Sequence, residues 1–211
     1  IVLLFAPLCD AIQRCSSFDQ LSSELEKTLA ALTIEDARLC YEAIRLADAG
    51  GMGQQAEEDI HQQPKVTLRK AMELAQNRDT IALQYVNNYQ QVWDIGYKQL
   101  TEALKCGEKV EWASTIAYLY LLARVPDTLI IRKQSRHIAQ TVAQKAQLFI
   151  LKMNKNRPLS KSTAELTVWD QELKSHAINP GTSADMTAAA LLLLAFEQAF
   201  DSNRISVARC L

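Results

Sequence analysis

The apolar residues of this chain recur every three or four positions, and this spacing constrains the fold more than any other feature of the sequence. Leu21, Leu25, Leu29 and Leu32 are separated by four, four and three residues, which places them on one face of a helix. No segment shows the sustained alternation of apolar and polar residues that a half-buried strand requires. Six glycines and five prolines among 211 residues are too few for a sandwich or barrel with many tight turns. We therefore predict an all-α fold, a single-domain helical bundle of about seven or eight helices.

Capping residues and helix breakers predict where these helices begin and end. Thr33, with an aspartate three residues later, is typical of a helix start. Asn77 is expected to cap a long helix that Gly107 ends. Pro126 is expected to interrupt the helical pattern, because proline lacks a backbone donor and disfavours helical geometry in the residue before it. The predicted helices cover residues 22–32, 34–47, 66–76, 79–104, 112–122, 128–153, 163–175 and 182–200.

The composition excludes several classes of function. Lysine and arginine number 23 against 24 aspartates and glutamates, and a formal charge of −1 provides no overall attraction to nucleic acid or anionic lipid. Five cysteines without a metal-binding spacing favour reduced thiols, and three distant histidines do not predict a zinc site. The apolar run at 188–196 is too short to span a bilayer. We predict a cytoplasmic protein that acts on neither a membrane nor a nucleic acid.

Polar side chains cluster beside three helix-breaking turns, in residues 45–59, 126–133 and 179–185. Backbone N–H groups at a helix start carry partial positive charge and lack partners within the helix. The amides near Thr182 and Ser183 are therefore candidates for holding a phosphate.

A structural interpretation of the same segments remains open. Asp127 and Asp185 would then only complement the dipoles of the helices that they begin. Arg132 and Lys133 would form a solvated face. The two interpretations differ in one consequence, because a single ligand site would gather Arg45, Asp127, Arg132 and Asp185 in a common cleft.

Five motifs in a fixed order give the chain a resemblance to a known family. It resembles the triphosphoribosyl-dephospho-coenzyme A synthase family, in particular its shorter archaeal-type branch. The similarity spans nearly the whole chain, and the segment Ile178 to Asp185 is its most specific part. The motifs are LLFAPL at 3–8, AIRLA at 43–47 with GGMG at 50–53, NRD at 77–79 with QY at 84–85, PDTLI at 126–130 with RK at 132–133, and INPGTSAD at 178–185.

The chain departs from the pattern of this family in three places. Ala49 stands where members usually have a proline, and members usually have a glycine near Ser135. Members also carry a further N-terminal region, with proline-glycine, His/Asp and Asn-Thr motifs, before the position of Ile1. We therefore expect residues 1–211 to be the C-terminal part of one all-α nucleotide-transferase-like domain, with part of the active site outside them.

The resemblance implies a glycosyl transfer. Members move the triphosphoribosyl part of ATP to the ribose 2′-hydroxyl of 3′-dephospho-CoA and release adenine. The ribose carbon of ATP develops oxocarbenium character as adenine leaves, so a nearby carboxylate can stabilise positive charge or accept the proton of the attacking hydroxyl. Asp127 and Asp185 are the candidate catalytic residues.

The resemblance also implies a site that holds the triphosphate. Mg²⁺ would be shared with one or two carboxylates, and Asp79 and Asp185 are the candidate ligands. Arginine, lysine and turn residues would bind the nucleotide and its phosphates. The candidates for this role are Arg45, Gly50, Gly51, Arg78, Arg132, Lys133, Asn179, Gly181, Thr182 and Ser183.

Two other functions remain open from the sequence. The chain could be a non-enzymatic or degenerate helical member of the family that keeps the fold and has lost turnover. It could instead act on a related nucleotide in one-carbon or methanopterin metabolism. The predicted partners are ATP and 3′-dephospho-CoA or such a nucleotide, and a homodimer is an open alternative to a monomer.

Overall fold

A computed structural model of the protein describes residues 1–47, 59–155 and 163–208, and this part of the chain is helical without strands. It also contains a 3₁₀ turn at Phe18–Gln20 and a π-helical segment at Val92–Tyr97. The α-helices are α1 (Val2–Ile12), α2 (Leu21–Ala30), α3 (Ile34–Leu46), α4 (Leu68–Ala75), α5 (Thr80–Val86), α6 (Lys98–Lys105), α7 (Val110–Arg124), α8 (Thr128–Lys133), α9 (Arg136–Lys155), α10 (Thr163–Ser175) and α11 (Gly181–Ala208).

The all-α class is confirmed, but the predicted number of seven or eight helices is too low. The described residues contain eleven α-helices. Helix α1 was not predicted, and two predicted helices are each divided. The predicted helix at 79–104 is broken because Asn88 and Tyr89 have positive φ angles, and the one at 128–153 is broken at Gln134.

The structure confirms several of the predicted helix ends and corrects one of the predicted caps. The Thr33 hydroxyl accepts a hydrogen bond from the amide of Asp36, and the Asp36 carboxylate accepts one from the amide of Thr33. Helix α10 has the predicted bounds, and Pro126 follows the end of α7. The prediction that Asn77 caps the next helix is wrong, because Asp79 accepts hydrogen bonds from the amides of Ile81 and Ala82.

Contacts divide the chain into two compact units. The first unit comprises residues 1–90 and 192–211, and the second comprises residues 91–191. In the first unit, α1 packs on α2, α3 on α4 and α4 on α5. In the second unit, α7 packs on α6 and α9, and α8 packs on α9. The predicted leucine face of α2 is confirmed in the first core, where Leu21, Leu25 and Leu29 are fully buried.

A glycine brings two helical segments close together in the second unit. A Cβ atom at Gly96 would lie 3.0 Å from the Cβ of Ala190 and 3.2 Å from a Leu121 methyl group. Gly96 lies in the π-helical segment and Ala190 in α11. The lack of a side chain therefore allows α11 to pack directly on the π-helical segment.

Two buried tyrosines compensate for a proline inside α1. Pro7 has no N–H group, so the carbonyl of Leu3, four residues earlier, lacks its usual helical donor. The Tyr85 hydroxyl donates to this carbonyl at 2.5 Å, and the Tyr89 hydroxyl donates to the Leu4 carbonyl at 3.1 Å. Burial raises the pKa of both phenols above their usual range, so both remain protonated donors. Both rings lie in the core of the first unit.

We expect Tyr85→Phe to lower the free energy of unfolding by about 1–2 kcal/mol, because it leaves the half-buried Leu3 carbonyl without its best donor. In a Pro7→Ala background the new amide at position 7 can bond that carbonyl, so the same substitution should cost less. Chemical denaturation of the four proteins in this cycle measures the difference. Equal costs in the two backgrounds would contradict the compensation.

No helix in the described ranges is long and apolar enough to cross a membrane. The four cysteines in the described part of the chain are free thiols: Cys9, Cys15, Cys40 and Cys106.

Candidate functional site

Asp127 connects the start of α8 to the start of α11. Its side chain is 3% exposed, and one carboxylate oxygen accepts hydrogen bonds from the amides of Leu129 at 3.2 Å and Ile130 at 3.1 Å. The other oxygen accepts from the backbone N–H and from the hydroxyl of Ser183, both at 2.9 Å. A carboxylate can accept about four hydrogen bonds, and all four of these come from the protein itself. Asp127 therefore fixes the two helix starts against each other.

Threonine side chains add a second link between the same helix starts. The Thr182 hydroxyl accepts from the amide of Leu129 at 3.1 Å and lies 3.3 Å from the hydroxyl of Thr128. Thr182 and Thr128 are both buried. The sequence pattern predicts a role for Thr182 but none for Thr128, because a threonine directly after a capping aspartate is too common to mark a site.

Gly181 allows the helix starts to approach closely. A Cβ atom at this position would lie 2.5 Å from a methyl group of Leu129, which is closer than van der Waals contact permits. An alanine at position 181 would therefore have to displace the Leu129 methyl group. The sequence suggested that Gly181 binds phosphate. The close approach of Leu129 is a structural reason for a glycine at the same position.

The contacts revise the expected roles of Thr182 and Ser183. Both the amide and the hydroxyl of Ser183 donate to Asp127, and the Thr182 hydroxyl contacts α8. The amides of Gly181 and Ala184 donate to the carbonyls of Asn179 and Pro180. These groups hold the turn together, so they are better suited to positioning it than to binding phosphate directly.

The groups around this turn that face solvent differ in exposure. Asn179 is exposed at the turn before α11, and Asp185 is half-buried two residues after Ser183. Arg132 is half-buried and Lys133 is exposed in the last turn of α8. The second unit thus combines a rigid turn with amide, carboxylate and cationic side chains on neighbouring elements.

The half-buried phenol of Tyr118 lies near the linking carboxylate. Burial raises the pKa of Tyr118 above its usual range, and the negative charges of Asp127 and Asp170 raise it further. Tyr118 therefore remains a protonated hydrogen-bond donor near neutral pH. No sequence pattern distinguished this tyrosine from the other aromatic residues of the helices.

The first unit contains the other predicted site residues. Arg45 is exposed and donates to the carbonyl of Ile60, and Arg78 is exposed and donates to the carbonyl of Leu74 at 3.1 Å. Asp79 is half-buried and caps α5. Gly50 and Gly51 lie outside the described residues. The expected cleft combined Arg45 of the first unit with three residues of the second unit: Asp127, Arg132 and Asp185. That these four residues line one cleft remains a prediction.

Comparisons with known proteins agree with the motifs. A family model described as ATP:dephospho-CoA triphosphoribosyl transferase matches residues 1–204. Among solved structures, the chain is similar to an Archaeoglobus fulgidus protein assigned as a triphosphoribosyl-dephospho-CoA synthase. The TM-score is 0.71 at 26% sequence identity, over 92% of this chain and 80% of that chain. A comparison with curated proteins gave no match.

Proposed function

Because the chain belongs to the family of ATP:dephospho-CoA triphosphoribosyl transferases, we propose that residues 126–133 and 178–185 form part of its transfer site. Family membership assigns it the transfer of the triphosphoribosyl group from ATP to dephospho-CoA. The bond between the ribose carbon and adenine breaks, and a bond from that carbon to a ribose hydroxyl of the acceptor forms. The net reaction moves the hydroxyl proton to the departing adenine.

Asp185 is the proposed catalytic carboxylate. It is half-buried and follows the turn that Asp127 fixes through Ser183, and this link is the observation that carries the assignment of the site. A carboxylate there can stabilise the oxocarbenium character of the transition state or accept the proton of the attacking hydroxyl. Asp127, which the sequence also suggested as catalytic, has both oxygens engaged by four protein donors, so we assign it a positioning role.

The proposed phosphate contacts come from exposed and half-buried polar side chains. Asn179 and Lys133 are exposed and Arg132 is half-buried in the second unit. Guanidinium and ammonium groups form charge-assisted hydrogen bonds with phosphate oxygens. In the first unit, Arg45 and Arg78 remain candidates for the same role.

The donor set fits a magnesium ion that is bound together with ATP. The described residues contain no group of three or more side chains that could hold a metal ion. Mg²⁺ commonly binds through one or two carboxylates together with substrate phosphates, and does not need a cage made only of protein ligands. Asp185 in the second unit is the proposed carboxylate, Asp79 in the first unit stays a candidate from the sequence, and the ion would neutralise the triphosphate charge. A cytoplasmic location and a homodimer are further parts of this proposal.

Full-length protein with Mg²⁺ and ATP should release adenine when 3′-dephospho-CoA is added, in equal amount to a new triphosphoribosyl product. Chromatography of the reaction measures both compounds. The matched control is the 2′-deoxy acceptor, which lacks the attacking hydroxyl and should release no adenine above the background with ATP alone. Folded protein that releases no adenine with any nucleotide acceptor would favour a non-enzymatic role. Release with another nucleotide but not with dephospho-CoA would reassign the acceptor.

A further inference from the structure

The second unit contains a cavity that none of the assigned roles uses. It has a volume of 560 Å³ and lies between α7, α10 and the first turns of α11. Aromatic residues contribute to two of its walls, with Trp112 and Tyr118 on α7 and Trp169 on α10. Cavities of this size commonly bind small organic molecules.

The lining of this cavity is suited to a neutral and largely aliphatic ligand. Among the described residues that line it, Asp170 alone is charged, and Lys174 pairs with that carboxylate at 2.5 Å. The hydroxyls of Thr115, Thr167 and Thr187 all donate to carbonyls of their own helices, at 2.9, 2.9 and 2.8 Å. These threonines therefore satisfy their hydroxyls on the backbone. Within the described lining a phosphate group would meet a carboxylate and no cationic side chain, so these residues disfavour a phosphate.

The cavity begins beside the turn that the proposed site uses. Its α11 wall consists of Ala184, Thr187, Ala188 and Leu191, which share one helix face. Ala184 directly follows Ser183, which donates two hydrogen bonds to Asp127. At a rise of about 1.5 Å per residue, this wall extends roughly 9 Å along the axis beyond Asp185. An acceptor whose reacting ribose lies at Asp185 can therefore extend along this wall with the part of the molecule that lies beyond its diphosphate.

We propose that this cavity binds the pantetheine arm of dephospho-CoA. The inference rests on the proposed function, because the acceptor consists of adenosine joined through a diphosphate to this arm. The arm carries a dimethyl group, two amides and a terminal thiol, and it bears no charge. A single purine ring is the alternative neutral ligand, but it is smaller than the arm and would occupy less of the 560 Å³.

Tyr118 supplies a polar contact that suits this arm. Its phenol remains protonated, because burial and the nearby carboxylates oppose its ionisation. It can therefore donate a hydrogen bond to an amide carbonyl. The indole ring of Trp112 and the methyl groups of the threonines offer apolar surface to the aliphatic part of the arm.

Pantetheine itself is the probe that tests the cavity. Calorimetry on full-length protein should show saturable binding of pantetheine, which Thr115→Trp weakens at least tenfold because the indole fills the cavity. Thr141→Trp is the matched control, since Thr141 also donates to a carbonyl four residues earlier but lies on the exposed face of α9. It should bind pantetheine like the wild type. Should Thr115→Trp fail to fold, Ala188→Leu on the α11 wall is the second variant that fills the cavity.

The outcomes separate this inference from the transferase assignment. Adenine release by the wild type tests the reaction, and pantetheine binding tests the cavity without turnover. The absence of pantetheine binding by folded wild-type protein would overturn the inference even if adenine is released. The inference would also fail if a folded cavity-filling variant bound pantetheine as tightly as the wild type, or lost affinity for adenosine instead.

Discussion

Replacing Asp127 with alanine should lower the free energy of unfolding by roughly 3–5 kcal/mol, the largest stability effect of any single substitution considered for this protein. The substitution leaves the amide of Ile130 and both the amide and hydroxyl of Ser183 without acceptors in a buried region. The amide of Leu129 keeps a partner in the Thr182 hydroxyl. Three stranded donors at about 1 kcal/mol or more each account for the expected loss, which denaturant titration measures.

Asp79→Ala is the matched control for this prediction. Asp79 caps α5 in the same way that Asp127 caps α8, with one oxygen accepting from the amides two and three residues later. Asp79 is half-buried, so its loss should cost about 1 kcal/mol, as for an ordinary helix cap. The larger cost expected for Asp127→Ala reflects both the burial of Asp127 and its connection to Ser183. Similar costs for both would show that this connection contributes little, and the positioning role of Asp127 would then fail.

Local sequence patterns predicted those helix ends that local contacts determine. The capping box at Thr33 forms within four residues, and Pro126 acts through its own missing N–H group. Helix α10 also has its predicted bounds. Each of these features depends on neighbours in sequence, so a single sequence contains the necessary information.

The break after α5 could not be predicted because a distant contact stabilises it. Tyr85, Tyr89 and Trp93 are four residues apart, which continues the helical phase across the break. In the structure, Asn88 and Tyr89 have φ angles of 56° and 61°. The side-chain amide of Asn88 donates to the Ser22 carbonyl at 3.0 Å. Ser22 is 66 residues away in sequence, so this interaction leaves no trace in the local pattern.

The site shows the same limit of sequence-based prediction. The motifs correctly predicted turns at Asp127 and before α11, but they did not predict which groups each side chain contacts. The bond between Asp127 and Ser183 joins residues 56 positions apart. That contact engages the second oxygen of a carboxylate that the sequence suggested as catalytic, and it leaves Asp185 as the better candidate.

Asp185→Asn should lower kcat for adenine release by about two to four orders of magnitude, the contribution expected of a carboxylate acting in the transition state. Asparagine keeps the size of the side chain but removes its charge and its ability to accept a proton. The four hydrogen bonds that Asp127 accepts remain in place in this variant, so we expect a smaller change in melting temperature than for Asp127→Ala. Steady-state kinetics and thermal unfolding measure the two quantities.

Asp201→Asn provides the control, because Asp201 lies on the same helix and is exposed. It should retain wild-type turnover and stability.

The dependence of the Asp185→Asn variant on magnesium then separates the two roles proposed for Asp185. If this carboxylate binds the ion carried by ATP, the KM for ATP rises and high Mg²⁺ partly restores it. If it acts only on the ribose or the attacking hydroxyl, kcat falls while that KM is unchanged. A folded variant with wild-type kcat and KM would remove Asp185 from both roles, and the turn at residues 178–185 would then be structural.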